Sequence, residues 1–262
     1  MDFNWNADFL ENQAHLEFKN TYDIFKQYQI DKEKSYSILD IGCSNGYNTQ
    51  LLFKDFDSST ILGIDIDSKR IMQANQNNKS TNFRFYDINL LNTDINWFIN
   101  LYGKFDIIYC SYVIQYLDSP LHLLKQCYNL LNKNGVLILK VSDDNGKISY
   151  PKSDVLNKVI NFYIECTPNI DRFCAEKCYC WLHHAGFRNI KYHYYVDDTV
   201  NSTMQEKIAL YYKDFEFRKY NLQSVPQSLN SKLNEQLALL YELFQQEEFY
   251  YSSTSYIIVA QP

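Results

Sequence analysis

Short apolar runs alternate along the first half of the chain with stretches whose apolar residues recur every three or four positions. The runs fall at 35–41, 60–66, 82–86, 105–110 and 135–141, each rich in Ile, Val, Leu, Phe or Tyr. Unbroken apolarity over so few residues predicts strands covered on both faces. The intervening stretches carry helix signals. Asp67 or Ser68 caps one start, and Ser119 followed by Pro120 suits another. Leu124, Cys127 and Leu131 follow at helical spacing, and Asn134-Gly135 ends the element. Strand and helix in alternation predict a parallel sheet with right-handed crossovers.

Beyond Val141 the order changes. Segments 153–166 and 171–185 read as helices, Gly186 stops the second, and 188–196 reads as a strand. Leu229, Leu233, Leu237, Leu240 and Phe244 then repeat at helical spacing, and 255–260 forms a last strand. At the other end Leu16, Phe18, Tyr22, Phe25 and Tyr28 give an irregular amphipathic stripe. The expected organisation is an N-terminal helical lid (1–35), a core (36–198), a helical cap insertion (199–250) and a final core strand (251–262). A connection as long as 199–250 needs packing of its own. The N-terminal segment and this insertion are the expected walls of a substrate pocket, and Tyr22, Tyr211, Tyr212, Phe215, Phe217 and Tyr220 are candidates for lining that pocket or for packing the cap.

Where the first run ends, the chain reads Leu39-Asp40-Ile41-Gly42-Cys43-Ser44-Asn45-Gly46, and the second run closes on Asp65. Only seven glycines occur in 262 residues, and two of them sit in this loop. Glycine there lets the backbone approach a ligand closely and turn with positive φ. A carboxylate ending the neighbouring strand is placed to accept from ribose hydroxyls. The Gly-x-x-x-Gly spacing departs from the dinucleotide fingerprint, and no Gly-Lys-Ser/Thr follows to make a P-loop. Asp40 would repel a pyrophosphate but suits an ammonium group. These features point to a ligand with an amine, a sulfonium centre and a ribose.

With those residues in place the sequence resembles the class I S-adenosylmethionine-dependent methyltransferases. The first motif is 39–46, with Ser44 where a middle glycine is commonest; 64–66, 85–88, 105–111 and 130–137 resemble the following motifs in order. The resemblance implies an α/β, doubly wound, Rossmann-like sheet of seven mostly parallel strands, the last antiparallel, plus the helical cap. It implies S-adenosyl-L-methionine as cofactor and S-adenosyl-L-homocysteine as product. The implied binding set is Asp40, Gly42, Cys43, Gly46, Asp65, Ile66, Asp87, Ile88 and Ser111. Within it Asp65 takes the ribose, Asp87 the adenine amino group, Ile88 the ring face, and Ser111 lies beside the methionine moiety. Where many members carry histidines after the fourth strand, this chain has Gln115 and Tyr116. Asn-Pro-Pro-Tyr is absent, and Cys110 follows Tyr109 rather than a proline. No catalytic residue is therefore assigned.

Composition narrows the acceptor and the setting. A net charge of -6 and a pI near 5.4 argue against a nucleic-acid partner, so a small molecule with an oxygen or nitrogen nucleophile is expected. A protein or RNA methyltransferase and a non-catalytic binding protein are the alternatives. The first residues, Met1 to Asn6, lack signal-peptide character, and no apolar run approaches the ~20 residues of a membrane span. Seven cysteines without an export signal read as reduced thiols, which predicts a cytoplasmic protein with no membrane partner. Cys174, Cys178, Cys180, His183 and His184 invite a metal reading. Their spacing lacks paired knuckles, and buried cysteines on an amphipathic helix are expected instead, with no metal.

Overall fold

The computed structural model describes residues 7–141, 143–216, 218–219 and 227–262. Met1 to Asn6, Phe217, Tyr220 and the side chain of Leu16 lie outside the described residues. Eight strands form one sheet: β1 (Ser37–Ile41), β2 (Thr60–Asp65), β3 (Phe83–Asp87), β4 (Phe105–Ser111), β5 (Leu131–Val141), β6 (Ile148–Tyr150), β7 (Asn189–Asp198) and β8 (Tyr250–Gln261). The order runs β3-β2-β1-β4-β5-β8, with the first five strands parallel. β8 is antiparallel to β5, and its other edge carries β7. Short β6 takes the stretch of β8 beyond the end of β5.

The helices are α1 (Ala7–Gln27), α2 (Tyr47–Phe53), α3 (Ser68–Asn77), α4 (Ile95–Tyr102), α5 (Pro120–Leu130), α6 (Asp154–Cys166), α7 (Cys174–Ala185), α8 (Met204–Asp214) and α9 (Gln227–Phe244). The parallel strands are apolar throughout because both faces are covered. Ile38 and Ile107 pack with Phe25 of α1, Phe53 of α2 and Ile71 of α3. Leu39 and Ile108 pack on the opposite face with Leu124 of α5 and Leu182 of α7. Strand order reverses between β1 and β4, and there a crevice opens past the carboxyl ends of the strands.

Helix ends follow local chemistry. The Asp67 carboxylate accepts from the Lys69 and Arg70 amides to start α3, and Asp94 caps α4 through the Trp97 amide. Gly186 ends α7 at φ +114. α8 opens with a reciprocal capping box between Thr203 and Glu206, a Thr-x-x-Glu signal readable in the sequence. Leu233, Leu237, Leu240 and Phe244 of α9 pack with Leu210 and Tyr211 of α8. The same cluster takes Leu156, Val159 and Tyr163 from α6, so α6 shares its core with the 199–250 helices. α1 lies across the sheet, where Tyr28 meets His193 of β7 at 3.0 Å and Tyr195 donates to the Asn20 carbonyl. The sheet differs from the expected one in the short β6, in a β8 that begins at Tyr250 rather than 255, and in a β5 that begins at Leu131, a residue expected on the preceding helix, which ends at Leu130. Among the described residues no helix is long and apolar enough to cross a membrane.

Candidate active site

The crevice holds a cavity of about 690 Å³, within the range of small-ligand sites. Asp40, Ile41 and Gly42 of the β1 end, Asp65 and Ile66 of the β2 end, Ile88 and Asn89 after β3, and Ser111 of β4 all line it.

Its floor is the glycine loop. The Gly42 and Cys43 amides both donate to the Ile64 carbonyl, at 2.8 and 3.1 Å, so the loop folds back over β2. Gly42 turns at φ +76, and a Cβ there would stand 2.2 Å from Val113 Cγ2. Ser44 also takes positive φ, at 51°, where glycine would be unstrained. The Asp65 carboxylate holds the loop down: one oxygen accepts from the Ser44 amide at 2.8 Å and the other from the Asp67 amide at 2.9 Å. Burial raises Asp65 above the ordinary carboxylate range, and those amides oppose the shift. A carboxylate oxygen accepts more than one hydrogen bond, so both remain competent toward ligand hydroxyls.

Asp40 is the more deeply buried acid, 3% exposed. Burial pushes its carboxyl up to about 7; the Thr49 hydroxyl, donating at 2.5 Å, lowers it, and Asp65 raises it further. A cation arriving beside Asp40 would restore its charge. Burial likewise holds the Cys43 thiol well above its usual range, so it is an inert wall rather than a nucleophile.

Of the nine residues singled out in the sequence, Asp40, Gly42, Cys43, Asp65, Ile66, Ile88 and Ser111 line this cavity. Gly46 and Asp87 do not. Gly46, at φ +73, caps α2, and a Cβ there would press on Phe85 and Ala74. Asp87 is exposed and ends β3 opposite Asp65, while Asn89, two residues on, enters the lining. Sequence reading missed Asn45, Asn48, Arg70, Tyr112, Asn169 and Ala14, which also line the cavity. Tyr112 follows a strand end, a position the sheet rule flags; Asn169 arrives from the connection between α6 and α7 and Ala14 from α1, and neither carries a local signal.

The cysteine-histidine stretch lies elsewhere. Cys174 and Cys178 are fully buried in the α5–α7 side of the core, and Cys180 is exposed. Among the described residues no group of three His, Cys, Asp or Glu is placed to hold a metal.

A mostly parallel, doubly wound sheet with a glycine loop after β1 is a Rossmann-like α/β fold. Residues 39–137 match a family described as a methyltransferase domain. The matched stretch, just over a third of the chain, holds the glycine loop and both strand-end acids, Asp40 and Asp65. It is 30% identical over 166 residues to a tRNA U34 carboxymethyltransferase of Campylobacter lari, covering 58% of this chain and 52% of that protein. It is 30% identical over 111 residues to the mitochondrial ubiquinone biosynthesis O-methyltransferase of Saccharomyces cerevisiae, covering 42% of this chain and 35% of that one. A crystal structure of a SAM-dependent methyltransferase from Archaeoglobus fulgidus shares the fold, with TM-score 0.52, 17% identity and 94% of each chain covered. The chain spans about half the length of the tRNA-modifying relative.

These comparisons correct one expectation. A small-molecule acceptor with no nucleic-acid partner was expected from the net charge of -6, yet the relatives matched over 166 and 175 residues act on tRNA. Net charge is a sum over the surface and reports nothing about where Lys and Arg gather, so it does not exclude an RNA acceptor.

Proposed function

We propose that the cavity binds S-adenosylmethionine and that the protein transfers its methyl group to a nucleophile on an acceptor. The observation that carries this reading is the pair of acids at adjacent strand ends, Asp40 and Asp65, in one cavity with the Gly42 turn. The fit is chemical: Asp65 faces hydroxyls, buried Asp40 faces an ammonium group, and Ile66 and Ile88 offer apolar surface to a purine. Asn89 is the lining amide nearest that surface along the chain, and we assign it, rather than Asp87, which is not among the lining residues, to the purine edge.

When bound, the cofactor supplies a sulfonium methyl whose departure leaves a neutral thioether. The protein's part is then alignment and exclusion of water rather than obligatory base catalysis. Ser111, Tyr112 and Val113, at the β4 end, form the wall beside which the acceptor would align.

Calorimetric titration with S-adenosylhomocysteine tests the reading. Binding at micromolar concentration that is lost in Asp65→Ala supports it; no binding below about millimolar, or unchanged binding in the variant, overturns it.

For the acceptor, the similarity to tRNA-modifying enzymes favours RNA. Incubation with methyl-labelled cofactor and separated tRNA, protein and metabolite fractions checks it. Label confined to protein or metabolites would reject RNA.

A further inference from the structure

β7 is the long open edge of the sheet. One side of it pairs along its whole length with β8, and among the described residues no strand pairs with the other. It runs ten residues without a proline or a break in register, against five in β3 and three in β6. An edge of that length is a template for another strand unless charge, proline or a bulge blunts it.

Two hydrogen bonds fix which backbone groups of β7 face outward. The Tyr112 amide donates to the Lys140 carbonyl at 2.8 Å, so even-numbered residues of β5 face β4 and odd-numbered ones face β8. Leu137 of β5 and Ile190 of β7 both stand opposite Ala260, which bonds toward β5, so Ile190 bonds away from β8. The Thr199 amide, donating to the Tyr251 carbonyl at 3.0 Å one step past β7, gives the same phase. Ile190, Tyr192, Tyr194 and Val196 therefore turn their amides and carbonyls outward. Two of these side chains, Tyr194 and Val196, are 64% and 58% exposed. Tyr194 is already set in an aromatic row, stacked on Tyr192 at 6.2 Å and edge-on to Tyr256 at 5.6 Å.

The edge is complementary to itself. Antiparallel pairing with a second β7, centred on Tyr194, joins outward groups at Tyr194 with Tyr194 and at Tyr192 with Val196. It also sets exposed Lys191 opposite Asp197, twice by symmetry. Sliding by two residues puts Lys191 opposite Tyr195 or Thr199, and sliding by one brings outward amides onto inward ones. Charge thus selects one register. Asp197 meets Lys213 at 2.5 Å through a single oxygen, and a carboxylate accepts at both.

We propose that the protein forms a two-fold dimer through β7, pairing antiparallel with the β7 of a second copy in the register set by Lys191 and Asp197. The two eight-stranded sheets become one. The dimer goes beyond the transferase reading and stands whether or not that reading holds.

Sedimentation equilibrium of the full chain tests it. At micromolar concentrations the mass should approach twice the 31.2 kDa of one chain. Tyr194→Pro removes the outward donor at the axis and no bond to β8, so dimer affinity should fall roughly tenfold or more. Lys191→Asp and Asp197→Lys each face like charge twice, and each should weaken the dimer by about tenfold. Mixed in equal amounts, those two variants should dimerise again, because unlike chains restore both opposite pairs. Melting curves establish that each variant is folded, and the charge variants keep the test decisive where the proline variant is not. A one-chain mass up to about millimolar concentration would overturn the dimer. So would a dimer indifferent to Tyr194→Pro and Lys191→Asp, or folded charge variants that stay dissociated when mixed.

Discussion

Gly42 and Val113 meet so closely that the loop after β1 and the turn after β4 have no room for a single methyl group between them. A Cβ on Gly42 would lie 2.2 Å from Val113 Cγ2, and Gly42 also turns at φ +76. Gly42→Ala should therefore lower stability by about 1–3 kcal/mol through overpacking and backbone strain. It should also weaken S-adenosylhomocysteine binding, because the loop it displaces is the cavity floor. Adding Val113→Ala should recover part of the stability, since it removes the clash but leaves the unfavourable φ. Urea denaturation and calorimetry of the single and double variants check this.

Asp40 predicts a pH dependence. Its folded carboxyl sits near 7, above the ordinary value of 3.8, so the folded state holds a proton that the unfolded state has released between those values. Stability from this group is fully present below pH 4 and is lost as pH rises toward 7. In Asp40→Asn that decline should disappear, so the variant gains on the native protein as pH rises from 4 to 7. A bound ammonium group favours the ionised acid. Ligand affinity in the native protein should therefore increase from pH 5.5 to 7.5, with proton release visible as a buffer-dependent binding enthalpy.

Asp144 is the shared partner of Lys147, Arg172 and Arg218, and those cations hold its carboxyl well below the usual range despite burial. Asp144→Asn leaves three buried cations without their carboxylate and should cost about 3–5 kcal/mol. The native contribution is present above the ordinary carboxylate range and is lost only as strong acid protonates the group. Urea titrations of both proteins at pH 7 and pH 3 test it. The gap between them should stay wide at pH 7 and narrow on acidification.

The α6–α8–α9 cluster does not line the cavity. Leu237, 1% exposed, is central to it, and its carbonyl accepts from the Tyr211 hydroxyl at 2.9 Å. Leu237→Ala should destabilise by about 2–5 kcal/mol, as buried leucine truncations do. S-adenosylhomocysteine affinity at 15 °C should change less than about threefold, since a loss of 1.4 kcal/mol is already tenfold. A matching loss of affinity would show that these helices shape the site after all.

Strand positions and the glycine loop were legible because their signals are local. Continuous apolar runs mark strands buried on both faces, and Gly42, Asp40 and Asp65 each sit at the end of one. Gly46 was legible as a loop glycine, but its work is to cap α2 rather than to line the cavity. Asp87 and Asn89 show the limit of a motif. Which of them enters the cavity depends on where β3 stops, and element ends are set by pairing with a neighbouring strand.

By itself the sequence determined an alternating α/β chain, a nucleoside-type loop and the carboxylates that flank it, since each depends on residues a few positions apart. Only the tertiary structure decided which side chains meet past the strand ends. Tyr112 against Lys140, Tyr163 beneath Arg172 and Arg218, and Asp144 between cations 3 and 74 residues away are products of crossovers and of helices packing on a distant strand. Such contacts leave no periodic trace along the chain. The physical reason is that pattern records burial, whereas chemistry at this site depends on long-range juxtaposition.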